Sequence, residues 1–192
     1  LMLDWDHMDN FLKSVSSVYW QAEETLKCYY QREDAFRCFD SDLPKMNLAL
    51  CFFSSALLAM QYQVYVGTAK LFDHSGTAGI PKIFNQGEQH PQYREMLKPV
   101  IKKGRTEYEL FEDQVQKLRL ERDKFYAHMD KQFLANEGRG ADFLWEDFEP
   151  MLKWALSILS NILETCGAVV PTMPIRYDLK NLLDKVQIEE DM

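Results

Sequence analysis

Four histidines, His7, His74, His90 and His128, bound the search for acid–base chemistry, because imidazole is the side chain whose ordinary pKa lies nearest neutrality. His7 sits in an acidic terminus, and His74 and His90 bracket a Gly- and Pro-rich stretch. None of these three has Cys, Asp or Glu at the spacing of a nucleophile or metal set, so each is expected to be an ordinary surface histidine. His128 differs. It closes the run LRLERDKFYAHMDK, where charges are interleaved with Leu118, Leu120, Phe125, Tyr126 and Met129, and Arg122 stands six positions before it. Arginine presents a planar fork suited to phosphate. In a regular helix six positions amount to about 120° around the axis and about 9 Å along it, so one helix does not aim both side chains at one phosphate. A local distortion, or a second copy of the segment across a two-fold axis, would do so. The same residues also allow a plainer reading, in which Arg122 and Asp123 form a solvated face and His128 is an end-of-helix imidazole favoured by the dipole.

A second feature is electrostatic. The chain carries 22 Lys and Arg against 30 Asp and Glu, a formal net charge of -8, which opposes general adhesion to nucleic acid or anionic lipid. Yet Arg94, Lys98, Lys102, Lys103 and Arg105 face only Glu95 within one stretch, and Lys117, Arg119 and Lys124 follow nearer the motif. Such a local stripe suits a phosphate backbone, although a charged helix face is also what plain solvation produces.

Cys28, Cys38, Cys51 and Cys166 form no CxxC pair and have no histidine at ligand spacing, so no zinc site is expected. The first three lie in the apolar or aromatic contexts CYY, CFD and LCFF, where a thiol is ordinarily a small buried hydrophobe. With no secretory signal at the start, a reducing, cytoplasmic setting is expected. SGTAG at 75–79 lacks the following Lys-Ser or Lys-Thr of a nucleotide loop. The expectation is therefore a chain without metal or cofactor.

The elements that must position these residues read as helices. Only 8 Gly and 7 Pro occur in 192 residues, with 46% hydrophobic residues, too little punctuation for a many-stranded sandwich. Phe11, Val15, Val18, Ala22 and Leu26 recur at helical spacing in a first helix over 8–39. SDLP at 41–44 ends it and opens the next, with Ser41 or Asp42 as N-cap and Pro44 in the first turn. Residues 46–69 carry no charge between Lys45 and Lys70 and are long enough to span a bilayer. Asn47, Ser54, Ser55, Gln61 and Gln63 load that run with polar groups, so a helix buried at the centre of a bundle is expected instead of a membrane span. A loop with a short helix near 81–85 follows, then a third long helix over 92–130 with Gly104 as a kink, a fourth over 143–166, and a short terminal helix over 178–188. The architecture expected is all-α, an up-and-down bundle of four long helices plus short extra helices, forming a single domain over 1–192.

The order Arg122, Asp123, His128, with five intervening positions, resembles the signature of the HEPN superfamily of helical bundles: an Arg, a polar residue and a His four to six positions on. The Tyr126-Ala127-His128 ending followed by Asp130-Lys131 resembles the AbiU-type abortive-infection branch. AKLFD at 69–73 and GIPKIF at 79–84 resemble that branch's apolar helix end, Asp, and loop with a short helix. The motifs cover about residues 44–135, and the first 40 residues match none.

That resemblance implies metal-independent RNA cleavage at a composite site across a homodimer, by a toxin or phage-defence effector. It makes His128 the proton-transfer group at the ribose 2′-OH and the leaving 5′-oxygen, and Arg122 the holder of the scissile phosphate. Asp123 would orient one of them or be a simple exposed acid, and Tyr126 would pack. Arg94, Lys98, Lys102, Lys103, Arg105 and Lys124 would bind RNA. A cognate antitoxin is an expected partner, and a membrane is not. The alternative is a non-catalytic module of the same fold that binds a partner protein or nucleotide. Its discriminating feature is the acidic overall charge with no second catalytic motif.

Overall fold

A computed structural model describes residues 9–47, 49–74, 78–123, 143–170 and 183–185 of the chain. All regular structure among the described residues is helical. In chain order the helices are α1 (Asn10–Asn47), α2 (Leu50–Leu71), α3 (Ile80–Gln89), α4 (Arg94–Glu109), α5 (Glu112–Glu121) and α6 (Phe148–Thr165), the last entered through a 3₁₀ turn at Trp145–Asp147.

α1 starts where the Asp9 carboxylate accepts the Leu12 backbone N–H at 2.8 Å, capping the first turn. Its buried stripe is Phe11, Leu12, Val15, Val18, Tyr19, Ala22, Leu26 and Tyr29, the helical repeat legible in the sequence. SDLP kinks the chain, since Asp42 leaves helical geometry at φ -129°, ψ 30° before Pro44, but it does not open the next helix as expected: α1 continues to Asn47, and α2 starts at Leu50 after Ala49.

Antiparallel pairing follows from which residues touch. Gln21 on α1 meets the Gly67 carbonyl on α2, while Tyr30 on α1 reaches Glu149 on α6 at 2.6 Å. The Trp154 indole on α6 donates to Glu107 on α4 at 2.9 Å. Early residues of each helix thus meet late residues of its neighbour, giving the up-and-down order of α1, α2, α4 and α6. Phe148, Met151, Leu152, Ala155, Ile158, Leu159, Ile162 and Leu163 of α6 are all buried in the shared core. Each of these side chains other than Ala155 contributes about 1.5–3 kcal/mol of burial.

Three further sequence expectations are corrected. The run 46–69 is not a buried central helix. Within α2, burial is confined to Val64, Gly67, Thr68, Ala69 and Leu71, whereas Leu50, Phe52, Leu58 and Tyr62 are exposed. Phe53, Ala56, Leu57 and Met60 are half-buried along the groove shared with Gln31, Asp34 and Ala35 of α1. Among the described residues α6 meets α2 at Tyr65, whose ring lies 4.8 Å from Phe148, and in the first half of α2 Phe53 packs against Cys38 and Met46 of α1 and against Leu183. α2 is long and apolar enough to cross a membrane by length and composition, with 11% of its most apolar window buried.

The second correction concerns the third long helix, which is two. It breaks at Leu110 and Phe111, where Phe111 packs against Phe72 and Trp154 at ring distances of 6.1 and 5.4 Å. Glu112 and Asp113 then suit the dipole at the start of α5. Gly104 lies inside α4 without a kink. The third concerns cysteines: Cys38 is buried, but Cys51 is exposed, on the uncovered part of α2. The expected terminal helix over 178–188 falls mostly outside the described residues.

Gly104 is required by close approach. A Cβ there would stand 2.7 Å from Phe84 Cζ and 3.0 Å from Ile158 Cδ1, so α4 sits wedged between α3 and α6. Gly104→Val is expected to cost about 1–3 kcal/mol by overpacking, read as a lower denaturant midpoint with unchanged slope. A wild-type midpoint would contradict this wedge.

Candidate functional site

Arg122 ends α5, where the backbone widens into a π-type turn at Arg122 and Asp123. His128 and Lys124 lie outside the described residues, as do His7 and Tyr126.

The Arg122 fork is occupied on two sides. Its Nε and Nη2 both approach Asp123 Oδ1, at 2.8 and 2.7 Å, and its Nη1 lies 3.9 Å from Asp73 Oδ2. Asp123 is thus an exposed acid laid along the bidentate edge of Arg122. Asp73 also takes Arg119, whose Nη2 is 3.5 Å from its Oδ1. Arg119 and Arg122 are three positions apart on α5 and so share a face.

Asp73 is placed by the end of α2. The Phe72 carbonyl accepts the Tyr108 hydroxyl at 2.7 Å and an Arg119 N–H at 3.4 Å. Tyr108 is buried, and desolvation raises its phenol well above the ordinary range, opposed by Arg119 and reinforced by Glu112 and Asp73. The His74 ring meets Tyr108 edge-on at 5.0 Å, and its Nε2 lies 3.8 Å from Glu112 Oε2. His74 therefore belongs to this cluster and is not an isolated surface histidine. His90 packs on Phe11 and Tyr93, at ring distances of 5.3 and 4.7 Å, as a structural imidazole.

The basic stripe is divided. Arg94, Lys98, Lys102 and Arg105 line one groove of about 530 Å³ with Glu88, Glu95 and Thr106. Positions 94, 98 and 102 stand one above another at about 6 Å steps. Arg105 is tied to Glu88 at 2.9 and 3.0 Å and to Asn85 at 2.8 Å, which lowers the Glu88 pKa. Lys103 does not join them. It lies round the helix, 3.6 Å from Glu107, in the cleft between α4 and α6 with Lys153 and Trp154. A 100° step per residue separates Lys103 from Lys102, which a count of charges along the chain does not register.

Asp73 and Arg119 were not singled out as site residues from the sequence, although Asp73 is the acid of AKLFD and Arg119 stands in the basic run. Their meeting spans 46 positions. Among the described residues no three His, Cys, Asp or Glu side chains converge as metal ligands.

The sequence model of one protein family, HEPN_AbiU2 (AbiU2), matches residues 41–172. The chain belongs to the AbiU2 family of HEPN proteins. No curated protein and no solved structure matches it. The AbiU2 match contains Asp73, the basic groove, Arg119, Arg122, Asp123 and His128, and leaves out the first 40 residues, where no motif was found. The protein is thus a HEPN-type abortive-infection module.

In this AbiU2 protein the Tyr108 hydroxyl anchors the site to the core. Tyr108→Phe is expected to lose about 1 kcal/mol at neutral pH with helix content unchanged. Because the folded phenol is raised, its contribution is full below the unfolded pKa of about 10 and drains as pH rises towards the folded value. The gap between wild type and Tyr108→Phe, measured by chemical denaturation, should therefore narrow above that pH. A gap that stays constant or widens there would overturn the assignment.

Proposed function

We propose that this AbiU2 protein is a metal-independent endoribonuclease, a toxin or phage-defence effector of the cytoplasm acting at a composite site across a homodimer. The observation that carries the reading is Arg122, within reach of Asp73 at a partly open edge and placed at the end of α5, at the head of the segment leading to His128. In this reading His128 takes the proton from the ribose 2′-OH, the 2′-oxygen attacks phosphorus, and the bond to the 5′-oxygen breaks as that oxygen gains a proton. Imidazole suits both transfers. Arg122 steadies the charge building on the phosphorane, after exchanging Asp123 for phosphate along its fork. Two copies supply what a single helix does not, since six positions leave the two side chains far apart in angle. Arg94, Lys98, Lys102 and Arg105 form the RNA track, with Lys124 nearer the motif and Lys103 serving the far side of α4.

A second reading is favoured by one observation. Phe36, Leu43, Leu50, Phe52, Leu58 and Tyr62 are exposed at the α1–α2 tip, as a module that binds a partner protein such as an antitoxin would require. In that reading nothing is cleaved.

The deciding experiment is cleavage of a mixed RNA pool in chelator by wild type, Arg122→Ala and His128→Ala, with light scattering for the dimer. Wild type should leave 2′,3′-cyclic phosphate and 5′-OH ends. RNA with 2′-deoxy at the cut should resist. Each variant should lose on the order of 100-fold or more in rate with unchanged circular dichroism. Equal rates in all three proteins, or no cleavage by wild type, would transfer the assignment to the binding module.

A further inference from the structure

The geometry points to Arg119 as a second guanidinium at the reacting phosphate, with Asp73 the positioning residue that holds Arg119 and Arg122 side by side. This rests on the ribonuclease reading of Arg122 and extends it to two residues outside the Arg–His motif.

Arg119 and Arg122 are separated by about 4.5 Å along α5 and about 60° around it, and each approaches a different oxygen of Asp73, at 3.5 and 3.9 Å. These distances are longer than the roughly 2.7–2.9 Å of a tight charge-assisted bond, so Asp73 aims the two forks without saturating them, while the outer edge of Arg122 is closed by the exposed Asp123 that a phosphate would displace. A phosphodiester brings two non-bridging oxygens, one for each guanidinium, and the phosphorane carries more negative charge than the ground state, so a second cation acts most strongly at the transition state. Access fits this role: the side chains of Arg119, Arg122 and Asp73 are 31%, 27% and 21% exposed. They are shielded enough to strengthen the interaction and open enough to admit a strand. The platform is rigid, because the Phe72 carbonyl next to Asp73 is fixed by Tyr108 and itself takes an Arg119 N–H.

Asp73 then has two opposed effects. It orients the pair, which favours turnover, and its charge competes with phosphate, which weakens binding. A residue that only supports the fold would produce neither signature.

The test uses the full-length protein as wild type, Arg119→Ala, Arg119→Lys and Asp73→Asn. Cleavage kinetics in chelator are measured beside binding of a 2′-deoxy oligonucleotide by fluorescence anisotropy across a salt series. Arg119→Ala should lower kcat on the order of 100-fold, be partly rescued by low guanidinium, and reduce the salt slope by about 0.7, one phosphate contact on a single strand. Arg119→Lys should keep the slope and lose kcat, because a point charge lacks the fork. Asp73→Asn should lower kcat on the order of tenfold to a hundredfold while the oligonucleotide binds more tightly. Wild-type kcat and slope in Arg119→Ala, or a kcat loss in Asp73→Asn with weakened binding, overturns the proposal and leaves the ribonuclease reading standing. If wild type cleaves nothing, that reading fails, and the slope alone decides: a decrease in Arg119→Ala keeps the phosphate clamp, and an unchanged slope removes it.

Discussion

The buried hydrogen bond from the Tyr108 hydroxyl to the Phe72 carbonyl joins the last residue of the α2 turn to α4, and it fixes the backbone next to Asp73, the acid on which Arg119 and Arg122 converge. A helix leaves its last carbonyls without intrahelical partners, and a buried one must find a donor or destabilise the fold. Here the donor is a phenol whose ring stacks on Phe72 at 5.6 Å and lies 5.9 Å from Trp154, so the polar satisfaction of α2 and the apolar packing of α4 and α6 are one event. Asp73 is the next residue. Its carboxylate is thereby delivered to the face of α5 that bears Arg119 and Arg122, and the site inherits its precision from the core.

The charge pattern has the same dependence on packing. An acidic protein can still present cations where its folding gathers them, and α3 against α4 does this by laying Asn85 and Glu88 beside Arg105. The bonds to Glu88 and Asn85 hold Arg105 in one geometry, while Arg94, Lys98 and Lys102 stay exposed along the same groove. Lys103 is directed elsewhere by a single helical step. The basic groove is therefore narrower than the basic run suggests, and Lys103, Lys153 and Trp154 border a different cleft.

The far end of α2 presents exposed apolar side chains. At about 1.5 Å per residue, Phe52 lies about 30 Å along the helix from Asp73. The apolar tip formed with Phe36 and Leu43 is thus remote from the arginines. The two ends of the α1–α2 hairpin therefore differ: one is built into the core beside Asp73, and the other presents apolar surface.

The sequence by itself determined the helices and the motif. Period-3.6 apolar spacing is a property of local chain geometry, so the stripe of α1, the break at Asp42, the short helix inside the loop and the final long helix were all legible. The Arg122, Asp123, His128 spacing with AKLFD and GIPKIF was enough to point to the HEPN family. What only tertiary structure decided was which neighbour each face meets. The uncharged run before Lys70 reads as a core helix in any window, yet full burial in α2 is confined to Val64, Gly67, Thr68, Ala69 and Leu71, and Cys51 is exposed. The break at Leu110 and Phe111 arises because Phe111 turns into the Phe72–Trp154 cluster, a contact between three distant parts of the chain. Asp73 and Arg119 stand 46 positions apart, and periodicity carries no information about such a pair. Side-chain pairing over that separation is set by how α2, α4 and α5 pack, and that is where the candidate site acquired the two residues that the motif does not contain.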